Sequence, residues 1–350
     1  MKINDLIKQT SGWLKGTGAH SEIVFSSRIR LARNLEKMIF SGWAKREQLE
    51  QTRAVLEPVV NELEEIKKDG LYLKMDDISD VDRQMLVERH LISRELINNH
   101  QSRAVSLSRD ETVSIMLNEE DHLRIQVLLP GFALDDCWDK IESIDGRLEK
   151  KLNFAFSGKW GYLSACPTNT GTGIRASVML HLPALVLTKQ INRVIQAIVK
   201  LGLTVRGLFG EGTEAAGNFF QISNQVSLGR SELEIVDNIK RIINQVLEYE
   251  QNARKSLTNK NKSSLEDQVW RSYGILKNAY IISSAESIEL LSNVCLGIDL
   301  GLIKKGVTRE VVNELFILTQ PAHLQKLESK TLNAKQRDIK RAELVRKKLK

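Results

Sequence analysis

The chain has 350 residues, 42% of them hydrophobic and 27% charged, the composition of a soluble globular protein with room for one large domain or two ordinary ones. No run approaches the ~18 apolar residues that span a bilayer, and Met1-Lys2-Ile3-Asn4-Asp5 opens without the apolar stretch of a signal peptide, so the expected location is cytoplasmic. The net charge is +7, but residues 330–350 alone hold nine Lys/Arg against Asp338 and Glu343, an excess equal to that of the whole chain. Cys137, Cys166 and Cys295 are widely spaced with no Cys-x-x-Cys pair, which excludes a disulfide framework and a zinc knuckle.

In chain order, residues 44–68 read as an amphipathic helix, with Leu49, Leu56, Val59, Leu63 and Ile66 at helical spacing before Asp69-Gly70. Short alternating or apolar runs follow at 71–75, 104–108, 113–117, 123–129, 162–165, 178–182, 204–208 and 219–222, most of them separated by turn residues. Helical patterns lie between them at about 134–151, 184–200 and 231–256, each long enough to cover a sheet face. The expected class is α+β, a largely antiparallel sheet flanked by helices. After the polar stretch Asn259-Lys260-Asn261-Lys262-Ser263-Ser264 the pattern is wholly helical, which divides the chain into residues 1–258 and 259–350. No internal repeat or heptad run is present.

No Gly-x-x-x-x-Gly-Lys-[Ser/Thr], His-Glu-x-x-His or protein-kinase signature occurs, so a phosphate ligand must be held by side chains. Four segments offer chemistry. In Ser26-Ser27-Arg28-Ile29-Arg30 the two arginines alternate, so an extended segment points both to one face, where planar forks suit a polyphosphate; a solvated strand edge reads the same way. In Asn118-Glu119-Glu120-Asp121-His122-Leu123-Arg124 three adjacent carboxylates suit a cation or a base, or form a polar turn. Cys166-Pro167-Thr168-Asn169-Thr170-Gly171-Thr172-Gly173-Ile174-Arg175 places a thiol before a loop of small residues, and a lone Cys there is also compatible with an inert thiol. Arg206-Gly207-Leu208-Phe209-Gly210-Glu211-Gly212 is a glycine-rich loop suited to closing over a substrate.

In order and company these segments resemble the phosphagen (guanidino) kinases over residues 20–256, the family of arginine and creatine kinases. The resemblance implies Mg-ATP as phosphoryl donor, with nucleotide contacts from Ser26, Ser27, Arg28, Ile29 and Arg30, from His90, from Arg124, from Arg175, Ala176, Ser177, Val178 and Met179, and from Arg206, Gly207, Leu208, Phe209, Gly210 and Glu211. Met179 stands where the eukaryotic enzymes commonly have His, which removes a polar side-chain contact there. It further implies that Glu120 and Glu211 hold the acceptor guanidinium and that Cys166 lies against it. A guanidinium is cationic, with a pKa above ~12, so carboxylates must orient it and take its proton.

Within the family the chain is most similar to the bacterial protein-arginine kinases of the McsB type. Only 25 residues precede Ser26, which leaves no room for the helical domain that opens the small-molecule enzymes. Arg337-Asp338-Ile339-Lys340-Arg341-Ala342 matches an Arg-Asp-x-x-Arg-Ala motif associated there with phosphoarginine binding, and on a helix Arg337 and Arg341 share a face beside Asp338. Leu332, Ile339, Ala342, Val345 and Leu349 form an apolar stripe for docking that helix. The resemblance implies phosphoarginine as a mark for the ClpC–ClpP protease, the repressor CtsR as a substrate, an activator McsA, and leaves a homodimer open. Two other readings remain: a kinase of free arginine or another small guanidine, and a non-catalytic phosphate-binding adaptor. An aromatic content of 5% and a tail without aromatic residues argue against single-stranded nucleic acid.

Overall fold

A computed structural model of the protein describes residues 1–98, 100–207 and 216–350. The strands are β1 (Val24–Arg33), β2 (Leu71–Lys74), β3 (Ala104–Leu107), β4 (Val113–Leu117), β5 (Leu123–Pro130), β6 (Phe156–Ser157), β7 (Gly161–Tyr162), β8 (Ile174–His181), β9 (Leu203–Gly207) and β10 (Phe219–Asn224). Among the described residues eight of them form one sheet in the order β2-β3-β4-β5-β1-β8-β10-β9, with every neighbouring pair antiparallel. The helices are α1 (Arg46–Asn61), α2 (Glu64–Lys67), α3 (Asp80–Glu88), α4 (Arg94–Asn98), α5 (Leu134–Glu149), α6 (Pro183–Leu187), α7 (Ile191–Lys200), α8 (Glu232–Lys260), α9 (Lys262–Asn278), α10 (Ser284–Asp299), α11 (Arg309–Leu318), α12 (Pro321–Leu327) and α13 (Ala334–Lys348).

The two-residue period of the central strands separates their faces. Ile29 and Leu31 of β1, Ile125 and Val127 of β5, Ala176 and Val178 of β8 and Ile222 of β10 are buried on one side. Helices α5 and α8 pack against that side, with Cys137, Ile141, Ile144 and Leu148 of α5 and Ile239, Ile242, Ile243 and Val246 of α8 buried. Ser231 caps α8 by accepting from the Glu234 amide, and Glu234 reaches back to the Ser231 amide, so the longest helix has a defined start. The opposite face carries polar residues and remains for function.

The expected helix over 44–68 is broken at Leu63, whose extended backbone (φ −59°, ψ 138°) turns its side chain into the core and separates α1 from α2. That over 184–200 is broken at Lys189, which adopts a left-handed φ of 59° between α6 and α7. The expected strand over 162–165 is a ladder of two residues only, because beyond Tyr162 the backbone turns to Asp121, whose Oδ1 accepts from the Ala165 amide at 2.8 Å. Helices α3 and α4 were not expected.

Behind the sheet, the buried Glu250 carboxylate accepts from the Ala184 and Leu185 amides at 3.1 and 3.0 Å, closing the N-terminus of α6, and from Arg254 Nε at 2.8 Å. Glu250→Ala leaves two amides and a buried guanidinium short of partners, a loss of about 3 kcal/mol in urea unfolding. A loss under about 1 kcal/mol would show that water replaces the carboxylate.

Candidate active site

The polar face of the sheet is an arginine platform. Alternation and register place Arg124 of β5, Arg28 and Arg30 of β1, Arg175 of β8 and Arg206 of β9 on that one face. Arg30 stands opposite Gln126 on one side and Arg175 on the other, and Arg28 opposite Ser177. A cavity of about 1040 Å³ is lined by Arg30, Arg124, Arg175 and Arg206 together with Glu119, Glu120, Cys166, Thr168 and Asn169. A second pocket of about 330 Å³ is lined by Trp13, Ser26, Arg28, His90, Ser177, Met179 and Gln221.

Crowding and burial make this cluster a strong anion seeker. Burial and the charges of Arg124, Arg175 and Arg206 pull the Arg28 pKa down to about 9. Arg30 is pulled well below its ordinary value by burial and by Arg124, Arg28 and Arg175, with Glu119 opposing. Guanidinium groups stay charged in proteins, so the depression measures how far the site favours a counter-anion. The Arg30 Nε donor is buried with no hydrogen-bond partner. His90 is lowered to about 3 by burial and by Arg28, so it is neutral and adds no further charge. Its ring meets Trp13 edge-on at 5.4 Å.

The three carboxylates after β4 separate into distinct tasks. Glu119 is buried and accepts from Arg124 Nη1 and Ser93 Oγ, both at 2.5 Å, and from the Glu120 amide at 3.0 Å. Burial pushes its pKa up, but Arg124 and these hydrogen bonds outweigh burial and hold it at about 2. Asp121 is also buried and accepts from Asn34 Nδ2 at 2.6 Å, from Ser164 Oγ at 2.8 Å and from the Ala165 amide. Glu120 alone is exposed at the cavity. Burial of its carboxylate and repulsion from Glu119 and Asp121 raise its pKa, while Arg124 and a hydrogen bond with the Cys166 thiol oppose the rise. Cys166 Sγ lies 3.1 Å from Thr168 Oγ1. Gly173 lets its loop approach β1, because a Cβ there would fall 2.6 Å from the Ala32 carbonyl at a φ of 68°.

The structure thus brings together Arg28, Arg30, Arg124, Arg175, Arg206, Glu120 and Cys166, with Ser26, His90, Ser177 and Met179 in the adjoining pocket. Ser27, Ile29, Ala176 and Val178 lie in the same strands but are buried on the other face; the Ser27 hydroxyl donates to the Gly131 carbonyl at 2.9 Å. Gly207 ends β9, and Leu208, Phe209, Gly210 and Glu211 lie outside the described residues. Trp13, Gln221, Thr204 and Asn169 line the site and were not anticipated; for Gln221 and Thr204 the alternation of β9 and β10 carried the signal.

In the tail, Arg337, Asp338 and Arg341 lie on α13. Arg341 is buried, donating from Nε to the Thr319 carbonyl and from Nη1 to the Ile282 carbonyl, each at 2.8 Å, and to Asp338 Oδ1 at 2.5 Å. Arg337 donates to the Leu332 carbonyl at 2.8 Å. Of the expected apolar stripe, Leu332, Ala342, Val345 and Leu349 are buried, but Ile339 is 40% exposed and Arg341 takes the inward position instead.

Among the described residues the one group with metal-ligand spacing is His181, Cys295 and Asp299. The Asp299 carboxylate is already held by Arg309 and Arg254, whose charges oppose a cation, so the group reads as an ion-pair cluster.

A guanidinium-rich platform facing a lone reactive carboxylate and a thiol defines a phosphotransferase acting on a guanidino group, and residues 51–253 match the family described as the ATP:guanido phosphotransferase C-terminal catalytic domain. Residues 262–350 match the protein-arginine kinase McsB C-terminal domain. The chain is 52% identical to the protein-arginine kinase of Halothermothrix orenii over 100% of its own length and 99% of that protein's, and 47% identical to that of Bacillus subtilis over 97% and 93%. A solved structure of the duplicated taurocyamine kinase of Schistosoma mansoni, bound to components of a transition-state analogue, superposes with a TM-score of 0.60 at 27% identity, over 72% of this chain and 36% of that one. Lombricine kinase, at 24% identity, shares the fold with a TM-score of 0.59 over 71% of this chain and 75% of its own. The chain belongs to the ATP:guanido phosphotransferase family, on its protein-arginine kinase branch, and is a guanidino phosphotransferase.

Two stability measurements test the assignments above. An unfolded glutamate titrates near ~4.3, and folded Glu119 at about 2. Its ionised form therefore stabilises the fold above ~4.3, and that contribution is lost as pH falls towards 2. The stability gap between wild type and Glu119→Gln should shrink across this window in urea melts, and a pH-independent gap would contradict the pairing. Separately, Arg341→Ala should cost about 3 kcal/mol, whereas Arg337→Ala stays within about 1 kcal/mol. Equal losses would remove the structural role of Arg341.

Proposed function

We propose that the protein transfers the γ-phosphoryl group of Mg-ATP to arginine side chains of other proteins. The observation that carries this reading is the half-buried arginine cluster with its unpartnered Arg30 donor, which lines one cavity together with the exposed carboxylate of Glu120. Arg28, Arg30, Arg124, Arg175 and Arg206 receive the phosphates and neutralise the charge spread over the transferring group. The adenine end lies in the pocket of Trp13, His90 and Met179. Among the described residues the cavity holds no set of free carboxylates for a divalent ion, and Mg²⁺ enters as part of the substrate, chelated by the phosphates and water.

Glu120 and Cys166 orient the acceptor guanidinium, with Glu211 as a second carboxylate. Glu120 takes a proton from the attacking nitrogen; the freed lone pair forms the N–P bond as the bond from the γ-phosphorus to the β–γ bridging oxygen breaks, and ADP leaves. The raised pKa of Glu120 suits a base that must accept a proton from a reluctant donor.

The relatives named protein-arginine kinases and the match over residues 262–350 support a protein acceptor over free arginine. On the same support, residues 1–258 form the catalytic part and 259–350 a helical part in which Arg337, Asp338 and Arg341 recognise phosphoarginine. The product marks proteins for ClpC–ClpP, CtsR is among the substrates, McsA is the activator, and the protein works in the cytoplasm. No helix among the described residues is long and apolar enough to cross a membrane.

The test is phosphorus NMR at neutral pH, where the P–N bond survives, after incubation with ATP and either an unfolded arginine-rich protein or free arginine. The P–N signal is expected on the protein; a signal on free arginine alone would overturn the reading. In the same assay Glu120→Gln should lower kcat by ~10²–10⁴-fold with little change in ATP affinity. Arg28→Ala and Arg30→Ala should weaken ATP binding in calorimetry.

A further inference from the structure

The turn that carries His90 is strained and heavily wired. Helix α3 ends at Glu88, Arg89 caps it, and His90 follows with a left-handed φ of 58°, a conformation a non-glycine residue keeps only where its surroundings hold it. Gln126 Nε2 donates to the His90 carbonyl at 2.8 Å, which fixes the far side of the turn. The near side is fixed by Arg89, which is 2% exposed and forks onto both oxygens of the buried Glu111 at 2.7 and 2.6 Å.

The third support comes from a different part of the chain. His323 of α12 is fully buried. Its Nδ1 lies 2.8 Å from Glu88 Oε2 and its Nε2 lies 3.4 Å from Arg89 Nη1. An arginine can only donate, so Nε2 accepts, Nδ1 carries the hydrogen, and the neutral ring bridges the two residues just before His90. Glu88 in return accepts from the Ala322 and His323 amides at 2.9 and 3.1 Å, capping the first turn of α12. The imidazole is therefore one of the links between the helical part of the chain and the wall of the smaller pocket, beside the bonds of Glu88 to the α12 amides.

We infer that His323 is a positioning residue for the nucleotide: through Glu88 and Arg89 it makes the placement of His90 depend on how α12 is seated. This rests on the reading of the smaller pocket as the adenine site. Helix α12 is itself reached from α13, because the Arg341 guanidinium holds the Thr319 carbonyl just before Pro321 opens α12. A change at the Arg337–Asp338–Arg341 face therefore has a route to the donor site through the Thr319 carbonyl, the backbone of α12 and Glu88, and none of its steps passes through Glu120.

The experiment is ATP calorimetry and steady-state kinetics on the full chain. His323→Ala should bind ATP about tenfold more weakly, with kcat at saturating ATP and KM for the protein acceptor changed less than about twofold. His323→Asn, which keeps a donor facing Glu88, should recover most of the affinity. Wild-type ATP affinity in folded His323→Ala would overturn the inference, as would an equal loss for both substrates, which marks general loosening. If His323→Ala does not fold, Glu88→Gln takes its place under the same criteria, since the amide keeps an oxygen for the α12 cap. Arg28→Ala in the same titration separates two failures. Unchanged affinity there removes the nucleotide reading and this inference with it, whereas lost affinity there beside unchanged affinity in His323→Ala removes this inference alone.

Discussion

Five guanidinium groups on one sheet face repel one another, and most of the site's architecture answers that repulsion. Arg124 is neutralised by Glu119, and the imidazole of His90 stays uncharged beside Arg28. Arg28 donates to the Ser177 hydroxyl, and Arg175 to the hydroxyls of Thr204 and Ser223. The strands that hold the arginines are backed by a continuous apolar layer, so the groups cannot relax by sinking through the sheet. Such a surface stores an unfavourable energy that a polyanion removes on binding, which makes recognition of phosphates a property of the sheet as a whole.

On the acceptor side the logic is reversed. Three adjacent acids would repel a fourth negative group, yet two of them are consumed by structure: Glu119 by Arg124, and Asp121 by Asn34, Ser164 and the Ala165 amide. Burial of the Glu120 carboxylate, and after it the charge of these two neighbours, makes it a stronger base than an ordinary surface glutamate. His122, next in the chain, takes no part in proton traffic, since Leu35 donates to its Nδ1 and its Nε2 meets the Ile39 carbonyl.

Much of this was legible in the sequence, and the remainder failed for identifiable reasons. Alternation announced the antiparallel strands and put Arg28 and Arg30 on one face, because a two-residue period survives any tertiary context. It could not say that β8 and β9 would add Arg175 and Arg206 to that same face, which depends on strand order. Helix α3 went unseen because its apolar set is short, although Ser79 and Asp82 carry a capping pattern that the structure realises at 3.2 Å. Helical spacing in the tail gave Ile339 an inward position, whereas Arg341 occupies it; a pattern of apolar residues does not foresee a buried guanidinium that satisfies two carbonyls. The division of labour among Glu119, Glu120 and Asp121 depends, beyond the nearby Arg124, on Ser93, Asn34 and Ser164 far away in the chain, which no local pattern encodes.

Asn34 sits just past the end of β1, is buried, and joins three segments with one amide. Its Nδ2 donates to Asp121 Oδ1 at 2.6 Å and to the Leu163 carbonyl at 3.0 Å, and its Oδ1 accepts from the His122 amide at 2.9 Å. Replacing that amide by a carboxylate, as in Asn34→Asp, would delete both donors and set a negative charge against Asp121 and a carbonyl oxygen. The turn bearing Glu120 and the loop bearing Cys166 would then part company in a molecule of almost unchanged mass, with every residue of the reaction still in place.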